Sequence, residues 1–460
     1  MVEGRTHKPV IQSGQCQSCN VCIRGCPAEI IPEYREEERS LRGALYRKKI
    51  SGTRTNEEVP IPPCQEACPI HQDTRGYVGL IAKGKFSEAL ELIREVNPLP
   101  AVCGFICHHL CEEACLREEV DKPIPMRRLK RFVAEYERET LRSHRSPEKK
   151  KTERVVVIGS GPAGLAAAND LCLLGYEITL YEALPVLGGM LAVGIPQFRL
   201  PRDILQLEID GIRKLGVEMK TNHRFLINGN RKFLEKMGFD AAFLSVGAHR
   251  GVKLDVPGER LDGVLSGVEF LRKINLGQTV PIGRKVAVIG GGNVALDCAR
   301  SALRLGAEAV EIFYRRSRNE MPAIPEEVEE AIHEGIEIHL LVSPVKVLGK
   351  GKRATGMEFL RMKLGEPDGT GRARPIPIKG SEFKVKADTV ISAVGQRVDP
   401  RGLKGFETDP DGTIKVDPET GATSMKGVFA GGDAVTGAGW AIDAIAAGKK
   451  GALSIDRYLS

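Results

Sequence analysis

The sequence predicts an α/β chain: two Rossmann-like dinucleotide-binding domains preceded by a mainly helical, cysteine-rich domain. Three observations carry this. From residue 154 onward, short apolar runs alternate with helical patterns, the sign of a parallel sheet covered by helices. Two of those runs end in glycine turns, beginning at Gly159 and Gly290. Ten of the 12 cysteines fall between Cys16 and Cys115.

Composition narrows the class. With 460 residues, 42% hydrophobic and 28% charged, the chain reads as soluble and globular, neither disordered nor fibrous. The net charge of +7 suits an acidic protein partner or phosphate-bearing ligands and is too weak to indicate nucleic acid. Only 5% of residues are aromatic, which argues against a base-stacking surface. No run approaches the ~18 apolar residues of a transmembrane segment. Met1 to Val10 lacks a charged-then-apolar export pattern, so the expected location is cytoplasmic.

Residues 1–153 are expected to form the cysteine domain, with a ferredoxin-type motif at 16–27, a helical part at about 60–137 and a charged linker at 138–153. Cys16, Cys19, Cys22 and Cys26-Pro27 match the spacing of the bacterial ferredoxin run. Structural zinc usually pairs two short hooks across a longer loop, which these packed thiols do not do, though zinc remains the alternative. A second set is Cys64, Cys68, Cys103, Cys107, Cys111 and Cys115, the last four at intervals of four. That interval would stack thiols on one helical face, with Gly104 weakening the helix. Apolar spacing over Phe86–Arg94 predicts a helix ending before Asn97-Pro98. Cys172 and Cys298 read as core residues; neither forms a CxxC pair, which disfavours a thiol–disulfide reductase.

The first glycine turn, Gly159, Gly161 and Gly164, comes after an apolar run and opens a helix. Those glycines permit a tight turn, backbone approach to a pyrophosphate and close helix–strand packing, and the helix N-terminus favours phosphate. Glu182, ending the next strand, can accept from an adenosine ribose. The second turn has Gly290, Gly292 and Ala295. Aligning the two units sets Tyr181-Glu182-Ala183 against Tyr314-Arg315-Arg316, so the acid gives way to guanidinium groups. Arg315 and Arg316 then read as binders of a ribose 2′-phosphate, favouring NADP(H) over NAD(H); surface charge is the alternative. Nicotinamides move hydride and iron–sulfur clusters move single electrons, so one dinucleotide site should hold a flavin, which handles both.

These motifs resemble the flavoprotein family of the glutamate synthase small subunit, which includes the large subunit of NADH-dependent ferredoxin:NADP oxidoreductase and the N-terminal half of dihydropyrimidine dehydrogenase. The resemblance runs from about Pro62 onward. It rests on Pro63-Cys64 with Ala67-Cys68-Pro69, Asn97-Pro-Leu-Pro100, Cys107 with Cys111-Glu112 and Cys115, and Gly194-Ile-Pro-Gln-Phe-Arg-Leu-Pro201. Tyr314-Arg-Arg316 with Glu320-Met-Pro-Ala323, and Phe429-Ala-Gly-Gly-Asp433, complete it. It implies a glutathione-reductase-like arrangement, with an FAD domain at 154–275 plus 385–460 and a nucleotide domain at 276–384. It implies FAD at Gly159, Gly161, Pro162, Ala163, Gly164, Glu182, Gly189, Met190, Leu191, Arg199, Gly432 and Asp433. For NADP(H) it implies Gly290, Gly292, Asn293, Val294, Arg315, Arg316 and Gly395.

In the family pattern Cys68, Cys107 and Cys111 share one 4Fe–4S cluster, while Cys64 and Cys115 share another. The family's preceding CxxC is replaced here by Asn56 and Val59, and its Gln or Glu ligand by Lys130, whose ammonium has no lone pair. Cys103 is expected to replace that ligand. Two clusters are expected, with the Cys16–Cys26 segment carrying its own or completing the second. The expected role is an electron-transfer flavoprotein subunit joining NAD(P)H, FAD and clusters to ferredoxin or a partner subunit. That partner could be an amidotransferase-type synthase, a bifurcating module or a keto-acid oxidoreductase. The alternatives are the glutamate synthase small subunit itself and a non-catalytic scaffold with relic cofactor folds and a zinc-binding N-terminus.

Overall fold

The computed structural model describes residues 61–136, 150–225, 232–369, 371–401 and 403–460, so the Cys16–Cys26 run lies outside the described residues. The chain divides into two compact units, Met1–Ser143 and His144–Ser460, parted inside the expected linker.

The first unit is helical: α1 Pro63–Glu66, α2 Thr74–Ala82, α3 Phe86–Arg94, α4 Pro100–Ile106, α5 Leu110–Glu113 and α6 Met126–Tyr136. Asp73 caps α2 by accepting from the Gly76 N–H at 2.8 Å, and Pro100 opens α4 where an N–H would be orphaned. Tyr77, Ala89, Ile93, Met126 and Val133 form the core. At Gly104 a Cβ would stand 2.6 Å from the Arg131 Cα, so only glycine lets α4 and α6 touch backbone to backbone. Helix α4 ends at Ile106; Cys107 is extended (ψ 138°) and His109 left-handed (φ 51°). The expected single helical face of thiols is therefore not formed: Cys103 lies in α4, Cys107 caps it and Cys111 lies in α5.

The second unit begins with β1 Arg154–Ile158, α7 Pro162–Leu173, β2 Glu177–Tyr181, α8 Met190–Val193, α9 Arg202–Lys214, β3 Glu218–Lys220, α10 Lys232–Met237 and β4 Ala241–Leu244. Next come β5 Arg250–Gly251, β6 Val264–Ser266, α11 Gly267–Asn275, β7 Lys285–Ile289, α12 Asn293–Arg304, β8 Ala309–Tyr314, α13 Pro325–His333 and β9 Glu337–Leu340. An arm of β10 Val342–Lys350, β11 Arg353–Pro367, β12 Ala373–Pro377 and β13 Phe383–Lys386 is antiparallel. The chain returns through β14 Thr389–Ser392, β15 Gln396–Arg397, β16 Val428–Ala430, α14 Asp433–Thr436 and α15 Ala441–Leu459.

Two parallel five-stranded sheets result, ordered β16-β4-β1-β2-β3 and β6-β14-β7-β8-β9. Their central strands are buried on both faces, as continuous runs such as Val155-Val-Val-Ile158 require. The second sheet reaches beyond the expected 276–384: β6 and β14 pair within it, and Phe270 and Leu271 of α11 pack with Val286 and Val288. Residues 264–275 and 389–392, expected in the first dinucleotide domain, thus belong structurally to the second. Each glycine turn sits at the carboxyl end of its sheet's central region, after β1 and after β7.

Candidate functional site

In the first turn each glycine has a different reason. Gly159 has φ +103°, and a Cβ there would lie 2.3 Å from the Ser245 carbonyl oxygen; a Cβ at Gly164 would lie 1.9 Å from the Gly159 oxygen. Those two hold α7 against the sheet. A Cβ at Gly161 would meet nothing within 4 Å: that backbone faces open space, as close approach of a pyrophosphate requires. Gly161 caps α7 without a side-chain partner and Pro162 takes the first helical position, beside Ala163.

Glu182 is 6% exposed. Its carboxylate accepts from Ser160 N (3.0 Å), Ser160 Oγ (2.5 Å) and Leu184 N (2.9 Å). A carboxylate has about four acceptor sites, so roughly one is left for a ribose hydroxyl. No motif singles out Ser160 as a linker, yet its Oγ also accepts from Gly188 N at 2.9 Å and ties the first turn to the 188–189 turn. Gly189 has φ +54°, and a Cβ there would lie 2.7 Å from the Gly161 Cα, so two backbones form one wall. Met190 and the buried Leu191 continue it in α8. Arg202, also unforeseen, donates to the carbonyls of Leu191, Ile195 and Leu200 and fixes this segment.

Gly432 (φ +67°) brings Asp433 to the start of α14, where a Cβ on the glycine would lie 2.9 Å from the Ala163 Cβ. Burial, with Asp443 adding, pushes the Asp433 carboxyl up to about 6 against the Gly439 N–H, a donor 3.3 Å away. A hydroxyl-bearing ligand would supply the stronger donor it lacks. Arg199 is a correction. Its guanidinium is taken up by Asp297 of α12 (2.9 and 3.1 Å) and Glu327 of α13 (2.9 Å), because burial at 7% side-chain exposure demands carboxylate partners.

In the second turn Gly290 has φ +145°, and a Cβ at Gly291 would lie 2.4 Å from the Tyr314 ring. Gly292 is open apart from Pro322 at 3.7 Å. The Asn293 Oδ1 accepts from Ile324 N at 3.0 Å, drawing the 320–323 segment over the turn, beside the partly buried Val294. Gly395 (φ +136°) accepts from Val252 N at 3.0 Å. Arg315 is exposed. Arg316 is a second correction: at 4% exposure it donates to the Ala373 carbonyl (2.8 Å) and to Asp368, which turns it inward to anchor the arm.

In the first unit no disulfide joins the described cysteines. The Cys68 thiol acts electrostatically on Cys107 and Cys111, and Cys107 on Cys111, as Cys115 acts on Cys64, which also accepts from the Thr74 hydroxyl at 3.1 Å. Burial pushes Cys111 up to about 12, partly offset by Lys130, and raises Cys107 and Cys64. Such thiols are poor nucleophiles and lose their protons only to a metal. The side chains of Gln72 and Asn97 are fully buried, yet both Gln72 amide atoms and the Asn97 Nδ2 lack a partner, while the Cys103 thiol points at Asn97 Oδ1 from 3.8 Å. The orphaned Asn97 N–H beside a buried thiol fits a cluster whose sulfurs accept N–H groups. Cys172 and Cys298 point at the carbonyls of Leu215 and Gly267 in their own cores. No described helix is long and apolar enough to cross a membrane.

Both units match known protein families. Residues 153–448 match the pyridine nucleotide-disulphide oxidoreductase family, and residues 57–141 match dihydropyrimidine dehydrogenase domain II, 4Fe-4S cluster. FprA from Mycobacterium tuberculosis has a similar fold, with TM-score 0.59 and 20% identity over 67% of this chain and 85% of that one. The NADP(+)-dependent formate dehydrogenase subunit beta of Moorella thermoacetica is 45% identical, covering 86% of this chain and 60% of its own length. The NADPH-Fe(3+) oxidoreductase subunit beta of Geobacter sulfurreducens is 42% identical, covering 86% and 63%. This chain thus spans under two thirds of the length of those two relatives. The glutamate synthase [NADPH] small chain of Azospirillum brasilense is 32% identical over 94% of this chain and 95% of its own. The chain belongs to the pyridine nucleotide-disulphide oxidoreductase family, in the group that joins this fold to a 4Fe-4S domain and contains the glutamate synthase small chain.

Proposed function

We propose that this chain is the NADPH-handling, electron-transfer subunit of a redox complex. The observation that carries it is the pairing of two open glycine turns in one unit, each leading to a strand that ends in an opposite charge: Glu182 after β2 and Arg315 after β8. FAD, when bound, supplies the exchange between hydride and single-electron chemistry. Gly159, Gly161, Pro162, Ala163 and Gly164 would hold its pyrophosphate, Glu182 the adenosine ribose, Gly432-Asp433 the ribityl chain, and Gly189, Met190 and Leu191 the ring. Gly290, Gly292, Asn293, Val294 and Gly395 would receive NADPH, with Arg315 alone meeting the 2′-phosphate. Arg199 and Arg316 hold domains and loops instead.

Cys68, Cys103, Cys107 and Cys111 would hold one cluster, and Cys64 with Cys115 part of a second. The partner is a protein that consumes or delivers the electrons, such as a formate-oxidising, metal-reducing or amidotransferase-type subunit. The test is anaerobic purification of the full chain with its neighbours. Brown-yellow protein containing FAD and about eight iron atoms that bleaches with NADPH is expected. Colourless protein containing zinc would establish the scaffold reading instead, and co-purifying subunits would identify the net reaction.

A further inference from the structure

We propose that Lys130 is the counter-charge of the cluster held by Cys68, Cys103, Cys107 and Cys111, raising its reduction potential from outside the ligand shell; this rests on those thiols being cluster ligands. Lys130 lies in α6 and is 6% exposed. Apart from burial, the groups that act most strongly on it are Cys103, Cys107, Cys68 and Cys111, not carboxylates. Its Nζ also stands 5.9 Å from the centre of the Tyr77 ring. A buried ammonium without compensating negative charge costs several kcal/mol. Four thiolates around iron supply that charge; four neutral thiols do not.

The fold places the two sides together. Gly104 and Arg131 touch where α4 crosses α6, and the residues preceding them are Cys103 and Lys130. Cys103 and Lys130 thus occupy adjoining positions of the two crossing helices, and Cys103 heads the groups that act on the ammonium, so thiolate plus cation would replace the carboxamide or carboxylate ligand that the resemblance implies at position 130. Reduction adds one negative charge, which a cation held nearby in a low-dielectric pocket favours. The orphaned Asn97 amide N–H, on the side chain beside the Cys103 thiol, acts in the same direction.

The experiment uses the full chain, purified anaerobically as native protein, K130M and K130R, with iron content and an EPR-monitored titration with dithionite. Native protein without iron would refute the cluster assignment itself, an outcome distinct from any change in midpoint potential. With iron present, one cluster's midpoint should move to more negative potential in K130M and stay at the native value in K130R. Loss of that cluster in K130M with retention in K130R supports the same charge role. Native midpoints in K130M, equal shifts in both variants, or equal loss of iron from both, would overturn it.

Discussion

Arg315 and Arg316 are neighbours in sequence with opposite surroundings. Arg316 is consumed by Asp368 and the Ala373 carbonyl, whereas Arg315 stays exposed beyond β8. A charge-assisted hydrogen bond contributes about 1.5–3 kcal/mol, and 1.4 kcal/mol is tenfold in affinity. Arg315→Ala should therefore weaken NADPH about tenfold or more while leaving NADH nearly unchanged, as read by equilibrium titration of the FAD-loaded protein. Equal weakening of both would refute the 2′-phosphate assignment. Arg316→Ala should instead lower the melting temperature, because it removes a buried guanidinium and its hydrogen bonds to the Ala373 carbonyl and the half-buried Asp368. Nothing local in Tyr314-Arg-Arg316 distinguishes the two residues; the difference is made by a loop more than fifty residues further along. Glycine turns are legible because strand, turn and helix are contiguous, whereas the side-chain partners that decide between two arginines are not.

At the scale of elements, α7 and the 188–189 turn meet β1 through glycines with separable duties. Gly161→Ala adds a Cβ into open space, so the apo fold should keep its stability to within the few tenths to ~1 kcal/mol of a cap change, yet lose FAD. Gly164→Ala drives a Cβ into the Gly159 carbonyl and should cost about 1–3 kcal/mol of stability as well as FAD. Equal FAD retention in Gly161→Ala would remove the pyrophosphate from this turn. Arg199 ties the segment after α8 to α12 and α13 across the two sheets' domains, through Asp297 and Glu327. Burial raises the Asp297 carboxyl to about 6 even with Arg199 lowering it. Because the folded carboxyl binds its proton above the ordinary 3.8, this group's contribution favours folding at low pH and loses that advantage as pH rises through about 6. Arg199→Leu should therefore destabilise by about 3–5 kcal/mol near neutrality and by less at pH 5, as read by denaturant midpoints. A pH-independent loss would show that Asp297 is not the group left uncompensated. The motif containing Arg199 was visible in sequence, but only the packing of three elements shows which partner it serves. The same holds for β6 and β14, whose membership in the second sheet depends on pairing across more than 120 residues.

At the scale of the whole molecule, the chain separates its work between a helical unit that buries thiols and an α/β unit that carries both glycine turns. Each unit has its own core, so damage to the cysteines need not disturb the dinucleotide sites. This gives a sharp test of the division of labour. Cys68 is buried and acts on both Cys107 and Cys111, so Cys68→Ser removes one thiol from the group proposed to hold a cluster. The variant should lose about four iron atoms. It should retain FAD and still lose its yellow absorbance on addition of NADPH, because hydride delivery uses only the second unit. Reduction of a one-electron acceptor protein should fall by an order of magnitude or more if electrons leave through that cluster. Unchanged turnover with such an acceptor, in protein shown to lack the four irons, would place the exit at the flavin and assign the thiols a structural role.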